Sequence, residues 1–124
     1  MDLSTLKPAE RLVEILNPKT DVELGVKVTL LSINDDKLKK IKRRIQDDKL
    51  RLEARGKNFK AEDIEENRNT IIFAALTGWV WDKGVTFKGT TPEFNQRIFN
   101  DVMNTIPWFR DQLEEAISDE KAFF

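Results

Sequence analysis

Two short segments near the start of the chain have a strand pattern, and their small number limits what the chain can fold into. Residues 12–16 are compatible with a strand, and residues 26–33 show partial alternation of apolar and polar side chains. Asn17-Pro18 between them marks a turn, because proline fixes φ and has no N–H to donate to a ladder. The pattern predicts an antiparallel β-hairpin over residues 11–33, with Gly25 placed to relieve a bulge in its second strand.

A two-stranded hairpin is not stable alone in water, so helices must cover one of its faces. The rest of the chain supplies them, with apolar residues at helical spacing and helix-start signals at Asn34-Asp35-Asp36 and Thr91-Pro92. After a ten-residue N-terminal lead and the hairpin, we predict helices over residues 35–55, 61–80, 92–104 and 107–119. Residues 85–87 are predicted to be a loop with one or two β residues.

Length and composition indicate one domain. A chain of 124 residues buries roughly two-thirds of the surface that it exposes when unfolded, which is enough for one core. It is 40% hydrophobic and 35% charged, so it has enough apolar residues to fold and more charge than the roughly 25% usual in soluble proteins. We therefore predict a single α+β domain, residues 1–124, in which an N-terminal antiparallel β-hairpin packs on a mostly helical part of about four helices.

Cysteine and histidine are both absent, which removes disulfides, thiolate nucleophiles, imidazole bases and the usual zinc ligands. Carboxylates cluster at residues 62–66 and 111–120, but the first cluster suits a helix N-terminus and the second has no phosphate or calcium loop beside it. We expect no catalytic residue, cofactor or metal site. The first residues lack a basic start and an apolar run, so we expect neither a signal peptide nor a membrane span.

Residues 37–44 hold six cations in eight positions, in a chain whose 21 basic and 22 acidic residues nearly cancel. Such a run could contact nucleic-acid phosphates, but no aromatic residue interleaves with it to stack on bases. Opposite charges at i,i+4 spacing also suit a solvated helix. These pairs are Arg43 with Asp47, Arg44 with Asp48, and Lys49 with Glu53. We interpret the run as a solvated or protein-facing surface, with Lys39, Lys40 and Arg43 as candidate partner contacts.

The aromatic residues divide into two groups. Trp79, Phe94 and Phe109 have helical spacing and are expected in the core. Others lie in a loop or at the end of the chain, where no later element covers them, and are therefore candidate partner contacts. They are Trp81, Phe87, Phe123 and Phe124. The alternative for the last two is that they fold back and cap the core.

The order of several motifs resembles a known family. The motifs are Asn17-Pro18-Lys19-Thr20 and residues 25–31, then Leu76-Thr77-Gly78-Trp79, a short loop with Gly84 and Phe87, a helix, Pro107-Trp108, and the final residues 119–124. This order, over most of the chain, resembles the tail assembly chaperones of long-tailed (siphovirus-type) bacteriophages, which are encoded just upstream of the tape-measure protein.

The resemblance implies a non-enzymatic α+β protein that binds the long, helical tape-measure protein and keeps it soluble while tail-tube subunits assemble around it. It also implies action in the host bacterial cytoplasm and absence from the mature virion. Family members often occur as a longer frameshifted product as well, whose added portion recruits tail-tube protein; a chain ending at Phe124 would be the short form. A long partner favours coating by several copies, so we expect self-association that is weak or depends on the partner.

Two alternatives remain open from the sequence. One is a structural minor tail subunit that stays in the particle. The other is a small nucleic-acid-binding regulator that uses the basic helix, although the near-neutral overall charge makes nucleic acid the less favoured partner.

Overall fold

Three strands and four helices form in the residues that the computed structural model describes, which are 2–5, 9–58 and 60–123. In chain order they are β1 (Arg11–Leu16), β2 (Glu23–Leu30), α1 (Asp36–Ala54), α2 (Ala61–Ala75), β3 (Leu76–Trp81), α3 (Gln96–Thr105) and α4 (Pro107–Ser118). Short 3-10 turns lie at Leu3–Thr5 and Glu120–Phe123. The predicted α+β class, a hairpin followed by a mostly helical part, is confirmed.

β3 is the main difference from the sequence prediction. The helix predicted over residues 61–80 ends at Ala75, and the next residues pair with β2 in an antiparallel sheet of order β1-β2-β3. Gly78 is unfavourable inside a helix, whereas aromatic and β-branched residues favour strands. Trp79 and Trp81 lie opposite Val28 and Val26 of β2, so both indoles face the helices. The added strand stabilises a hairpin that is too small to stand alone.

The predicted bulge at Gly25 is confirmed. The register of β1 and β2 shifts after Glu14, and the extra residues lie in β2 around Gly25, whose φ is +83°. The Asp82 N–H donates a hydrogen bond to the Gly25 carbonyl at 2.8 Å. A Cβ at this position would lie 3.0 Å from Val85 Cγ2, so the glycine permits both the bend and the close approach of the turn after β3.

The helix starts are set by side-chain caps. The Asp35 carboxylate accepts a hydrogen bond from the Lys37 N–H at 2.9 Å at the start of α1. For α3 the cap is Asn95, whose Oδ1 accepts from the Ile98 N–H at 2.9 Å. α3 therefore begins at Gln96, four residues later than the predicted 92, because a side-chain acceptor at Asn95 satisfies the first free N–H groups.

The core lies between one face of the sheet and helices α2, α3 and α4. Backbone hydrogen bonds join the layers, from the Leu31 N–H to the Ala75 carbonyl at 2.7 Å and from the Ile33 N–H to the Ile117 carbonyl at 3.2 Å. α1 lies outside this arrangement and packs chiefly on α2. Its Leu38 is buried, but the rest of its apolar stripe is only half-buried, so α1 presents apolar surface that α2 does not cover.

The end of the chain belongs to the core. The Phe123 side chain is 1% exposed and packs within the main apolar cluster. Its carbonyl accepts a hydrogen bond from the Ala9 N–H at 2.6 Å, which joins the C-terminal turn to the residues before β1. Phe123 was predicted either to contact a partner or to fold back and cap the core, and it caps the core. Phe124 lies outside the described residues.

Replacing Gly25 by alanine should destabilise the fold more than the same change at Gly84. Both glycines have positive φ, which costs an alanine roughly 1–2 kcal/mol. A Cβ at Gly84 meets no atom within 4 Å, whereas at Gly25 it also presses on Val85 and Asp82. Urea unfolding followed by circular dichroism measures the two free energies of unfolding. Equal losses at the two positions would contradict the close approach at Gly25.

Phe123→Ala should lower the free energy of unfolding by about 3 kcal/mol or more, the usual cost of removing a buried phenylalanine ring. Leu3→Ala is the matched control, because Leu3 is an exposed apolar residue near the other end of the chain and its loss should cost under about 0.5 kcal/mol. Thermal and urea unfolding test both variants. If the two variants unfold alike, Phe123 does not cap the core.

Candidate protein-binding surface

Two neighbouring depressions follow the open side of α1. One has a volume of about 160 Å³ and the other about 400 Å³. Lys42 and Ile71 line both, so the depressions are adjacent, and together we call them the α1–α2 groove. Its other lining residues are Ile33, Ile45, Gln46, Lys49, Leu50, Glu53, Arg68, Ile72, Glu114, Ile117 and Ser118.

The floor of the α1–α2 groove is apolar because two amphipathic helices meet with part of each stripe uncovered. Ile45 and Ile71 are half-buried, and Leu50 is 56% exposed although it belongs to a 19-residue helix packed on a neighbour. Contiguous apolar surface between helices, bounded by charged side chains, is typical of a protein-binding groove. Lys42, Lys49 and Glu53 supply such charges along α1.

An ion-pair network fixes the wall where α2 meets α4. Arg110 is only 8% exposed and donates to a carboxylate oxygen of Glu65 at 2.5 Å and to the Asn69 side-chain oxygen at 3.4 Å. Arg68 donates to Glu114, and this hydrogen bond is the main cause that raises the pKa of Arg68 above its usual value. α2 and α4 are thereby held together at the end of the groove.

This network was not predicted from the sequence. The carboxylates at 62–66 are expected at a helix N-terminus, and Asp63 does accept from the Lys60 N–H at 2.9 Å, but Glu65 instead pairs with Arg110. The available signal was the arginine itself, because Arg110 lies directly after a core aromatic, Phe109, and a buried guanidinium needs a carboxylate partner.

The candidate aromatics are not gathered on one exposed surface. Trp81 is half-buried and stacks on Phe109, with ring centroids 6.3 Å apart. Phe87 is half-buried against the core, with the Lys88 ammonium 5.4 Å from its ring centroid. Phe123 is buried, and Phe124 is not described. The expectation that Trp81 lies in an uncovered loop does not hold, because β3 turns its side chain towards the helices.

Phe94 also differs from expectation. It is expected in the core within the helix predicted over residues 92–104, but it precedes α3 and is partly exposed at the edge of the aromatic cluster. Its ring stacks on Phe73 at 5.0 Å between centroids and meets Trp79 edge-on at 5.4 Å. The later start of α3, set by the Asn95 cap, accounts for this position.

The candidate cations Lys39, Lys40 and Arg43 are all exposed on α1. None of the three lines the α1–α2 groove, for which α1 supplies Lys42 and Lys49 instead. Among the described residues, none of the three predicted i,i+4 pairs comes within ion-pair distance, and the ion pair seen on α1 joins Arg51 to Asp48 at 3.7 Å. The basic face therefore remains open to solvent.

No group of three or more acidic side chains among the described residues is placed to hold a metal ion. None of the helices in that part of the chain is both long enough and apolar enough to span a bilayer.

A scan against protein-family models, a search of curated proteins and a search of solved structures each found no match to this chain. The resemblance to phage tail assembly chaperones therefore stays a prediction from the order of its motifs.

Proposed function

We propose that this protein is a non-enzymatic tail assembly chaperone of a long-tailed bacteriophage, which binds the tape-measure protein, keeps it soluble and helps to recruit tail-tube subunits. The observation that best supports a chaperone is the α1–α2 groove. A helical partner with an apolar stripe buries that stripe in a groove of this kind. The tape-measure protein implied by the resemblance is such a partner.

The dimensions of the groove suit a few turns of helix. From Lys42 to Glu53 the groove follows α1 for about 16 Å, which is three helical turns. Three turns present two or three apolar residues at i, i+3 or i+4 and i+7 spacing. The mixed charges along the groove, including Lys42, Lys49 and Glu53, keep the complex soluble by facing water beside the buried stripe.

A groove of this length covers only a small part of a long partner. Several copies bound along one tape-measure protein would protect successive segments, and their combined affinity would exceed that of a single copy. We therefore propose modest affinity per copy, action in the host cytoplasm before the tube closes, and absence from the mature virion. Recruitment of tail-tube protein would depend chiefly on a longer frameshifted form.

One observation favours a second candidate, a small nucleic-acid-binding regulator. Lys39, Lys40 and Arg43 form an exposed face of α1 in which none is ion-paired within the described residues. Phosphate contacts by these cations would give affinity that falls steeply with salt. We prefer the chaperone because the groove offers apolar surface, which does not bind a charged phosphate backbone.

Leu50→Asp should weaken binding to the long helical protein encoded immediately downstream. Leu50 is 56% exposed, so the fold tolerates the change, but a carboxylate in the bound groove must lose its water, which reduces affinity by about tenfold or more. Val22→Asp is the matched control, since Val22 is 62% exposed in the turn between β1 and β2, away from the groove. Co-expression followed by size-exclusion chromatography measures how much of the partner stays soluble and co-elutes.

Wild type and Val22→Asp should rescue the partner equally, and Leu50→Asp should not. Equal rescue by all three proteins would show that the partner does not bind in the α1–α2 groove. If wild type itself fails to rescue or co-elute while both proteins are well expressed, the chaperone proposal fails and a structural tail subunit becomes the better reading.

A further inference from the structure

A second groove lies on the other side of α4, along the edge of the sheet. β1 is the outer strand in the order β1-β2-β3, so in the part of the chain that the structure describes its outward backbone groups face no further strand. The space between β1 and α4 has a volume of about 740 Å³, larger than either depression of the α1–α2 groove. We call it the β1–α4 groove.

One side chain already occupies the position of a neighbouring strand. The Leu16 N–H donates to Oε1 of Gln112 at 2.8 Å, and Nε2 of Gln112 donates to the Leu16 carbonyl at 2.7 Å. The N–H and C=O groups of one residue therefore both point into the groove. In an antiparallel ladder this arrangement recurs at every second residue, so Glu14 and Leu12 present their N–H and C=O groups to the same side.

The groove is strongly acidic. Among the described residues its charged lining consists of one cation, Arg11, and five carboxylates, those of Glu14, Asp21, Asp111, Glu115 and Asp119. Arg11 is itself engaged, with Nη1 3.5 Å from a carboxylate oxygen of Asp119 and 3.4 Å from the Ala116 carbonyl. The excess negative charge favours a cationic occupant and repels phosphate.

Glu14 also lies beside acidic residues outside the groove, on β2 and in the turn after β3. Its pKa is raised above the usual value, first by a hydrogen bond with the carboxyl group of Glu23 and also by the negative charge of Asp82. Lys27, 3.9 Å away, offsets part of this effect. A further cation beside Glu14 would relieve the remaining repulsion.

The spacing of the carboxylates matches an extended chain. Asp111, Glu115 and Asp119 follow one another at every fourth residue of α4 and just beyond its end, about 6 Å apart along the axis. Gln112 lies beside Leu16 and Asp119 beside Arg11, so α4 and β1 run in opposite directions along the groove. Alternate side chains of an extended strand lie about 6.6 Å apart. Basic residues at every second position would thus face Asp111 and Glu115, while Asp119 is already engaged by Arg11.

We propose that the β1–α4 groove binds an extended segment of a partner protein, with lysine or arginine at alternate positions, which adds to β1 as a further strand. Backbone pairing with Leu12 and Glu14 gives affinity, and the row of carboxylates on α4 selects the basic side chains. A second copy of this chain fits less well, because its own basic run, residues 37–44, is helical and cannot pair with a strand edge. The site is separate from the α1–α2 groove and does not rest on the proposed chaperone function.

The test uses the full chain and a fluorescent eight-residue peptide with lysine at alternate positions and threonine or valine between them. Fluorescence anisotropy should show saturable binding to wild type. Glu115→Lys should weaken it about tenfold, a usual effect for one reversed charge in a contact. Glu62→Lys changes the net charge equally at an exposed site on α2, outside the groove, and should stay within twofold of wild type. Circular dichroism checks that both variants are folded.

A second peptide separates strand addition from simple charge attraction on the wild-type protein. It has the same side chains but carries N-methyl groups on the residues whose N–H groups would pair with β1, and it should bind at least tenfold more weakly. Equal binding of the two peptides would overturn strand addition, and equal effects of Glu115→Lys and Glu62→Lys would overturn the site. Concentration-dependent dimerisation of the wild type that Glu115→Lys abolishes would also overturn the proposal, by showing that a second copy is the occupant.

Discussion

The pairing of β3 with β2 is the interaction on which the rest of the structure depends. It places Trp79 and Trp81 on the side of the sheet that faces the helices, where Trp79 contacts Phe99 of α3 at 6.0 Å between ring centroids. Trp81 stacks on Phe109 of α4. Because one short strand contacts both helices through large rings, it fixes where α3 and α4 lie against the hairpin. Without it, two strands would have no shared face large enough to hold the helices.

The position of α4 then creates both candidate surfaces. On one side, Glu114 and Ile117 contribute to the α1–α2 groove. On the other side, Asp111 and Glu115 face the free edge of β1. A 12-residue helix thus separates an apolar groove suited to a helix from an acidic groove suited to an extended segment. The two grooves differ in shape and charge, so they would select partners of different kinds.

The features predicted correctly from the sequence are those that depend on a few neighbouring residues. Asn17-Pro18, Gly25 and the carboxylate at Asp35 determine a turn, a bulge and a helix start from a few neighbouring residues, and each lies where it was predicted. β3 was missed because residues 61–80 carry apolar side chains at helical spacing. Its strand character depends on pairing with β2, which is distant in sequence. Tertiary pairing outweighed the local pattern.

Functional surfaces were harder to predict, because a groove depends on which faces remain uncovered after packing. The candidate aromatics were chosen for lying in loops or at the chain end, but Trp81 and Phe123 are held by partners from other parts of the chain. Leu50 and Ile71 carried no signal of their own in the sequence, and they line the α1–α2 groove only because α1 packs to one side of α2. The carboxylates of Asp111, Glu115 and Asp119 line a groove only because α4 lies beside the edge of β1, which the sequence does not show.

A long helical partner should bind in the α1–α2 groove while the sheet and its aromatic cluster stay unchanged. Amide hydrogen exchange followed by mass spectrometry, on the free chain and on its complex with the downstream helical protein, tests this most directly. We expect added protection in residues 42–53 and 68–72 and unchanged exchange in β2 and β3. Added protection centred on β3, or none in α1, would contradict it.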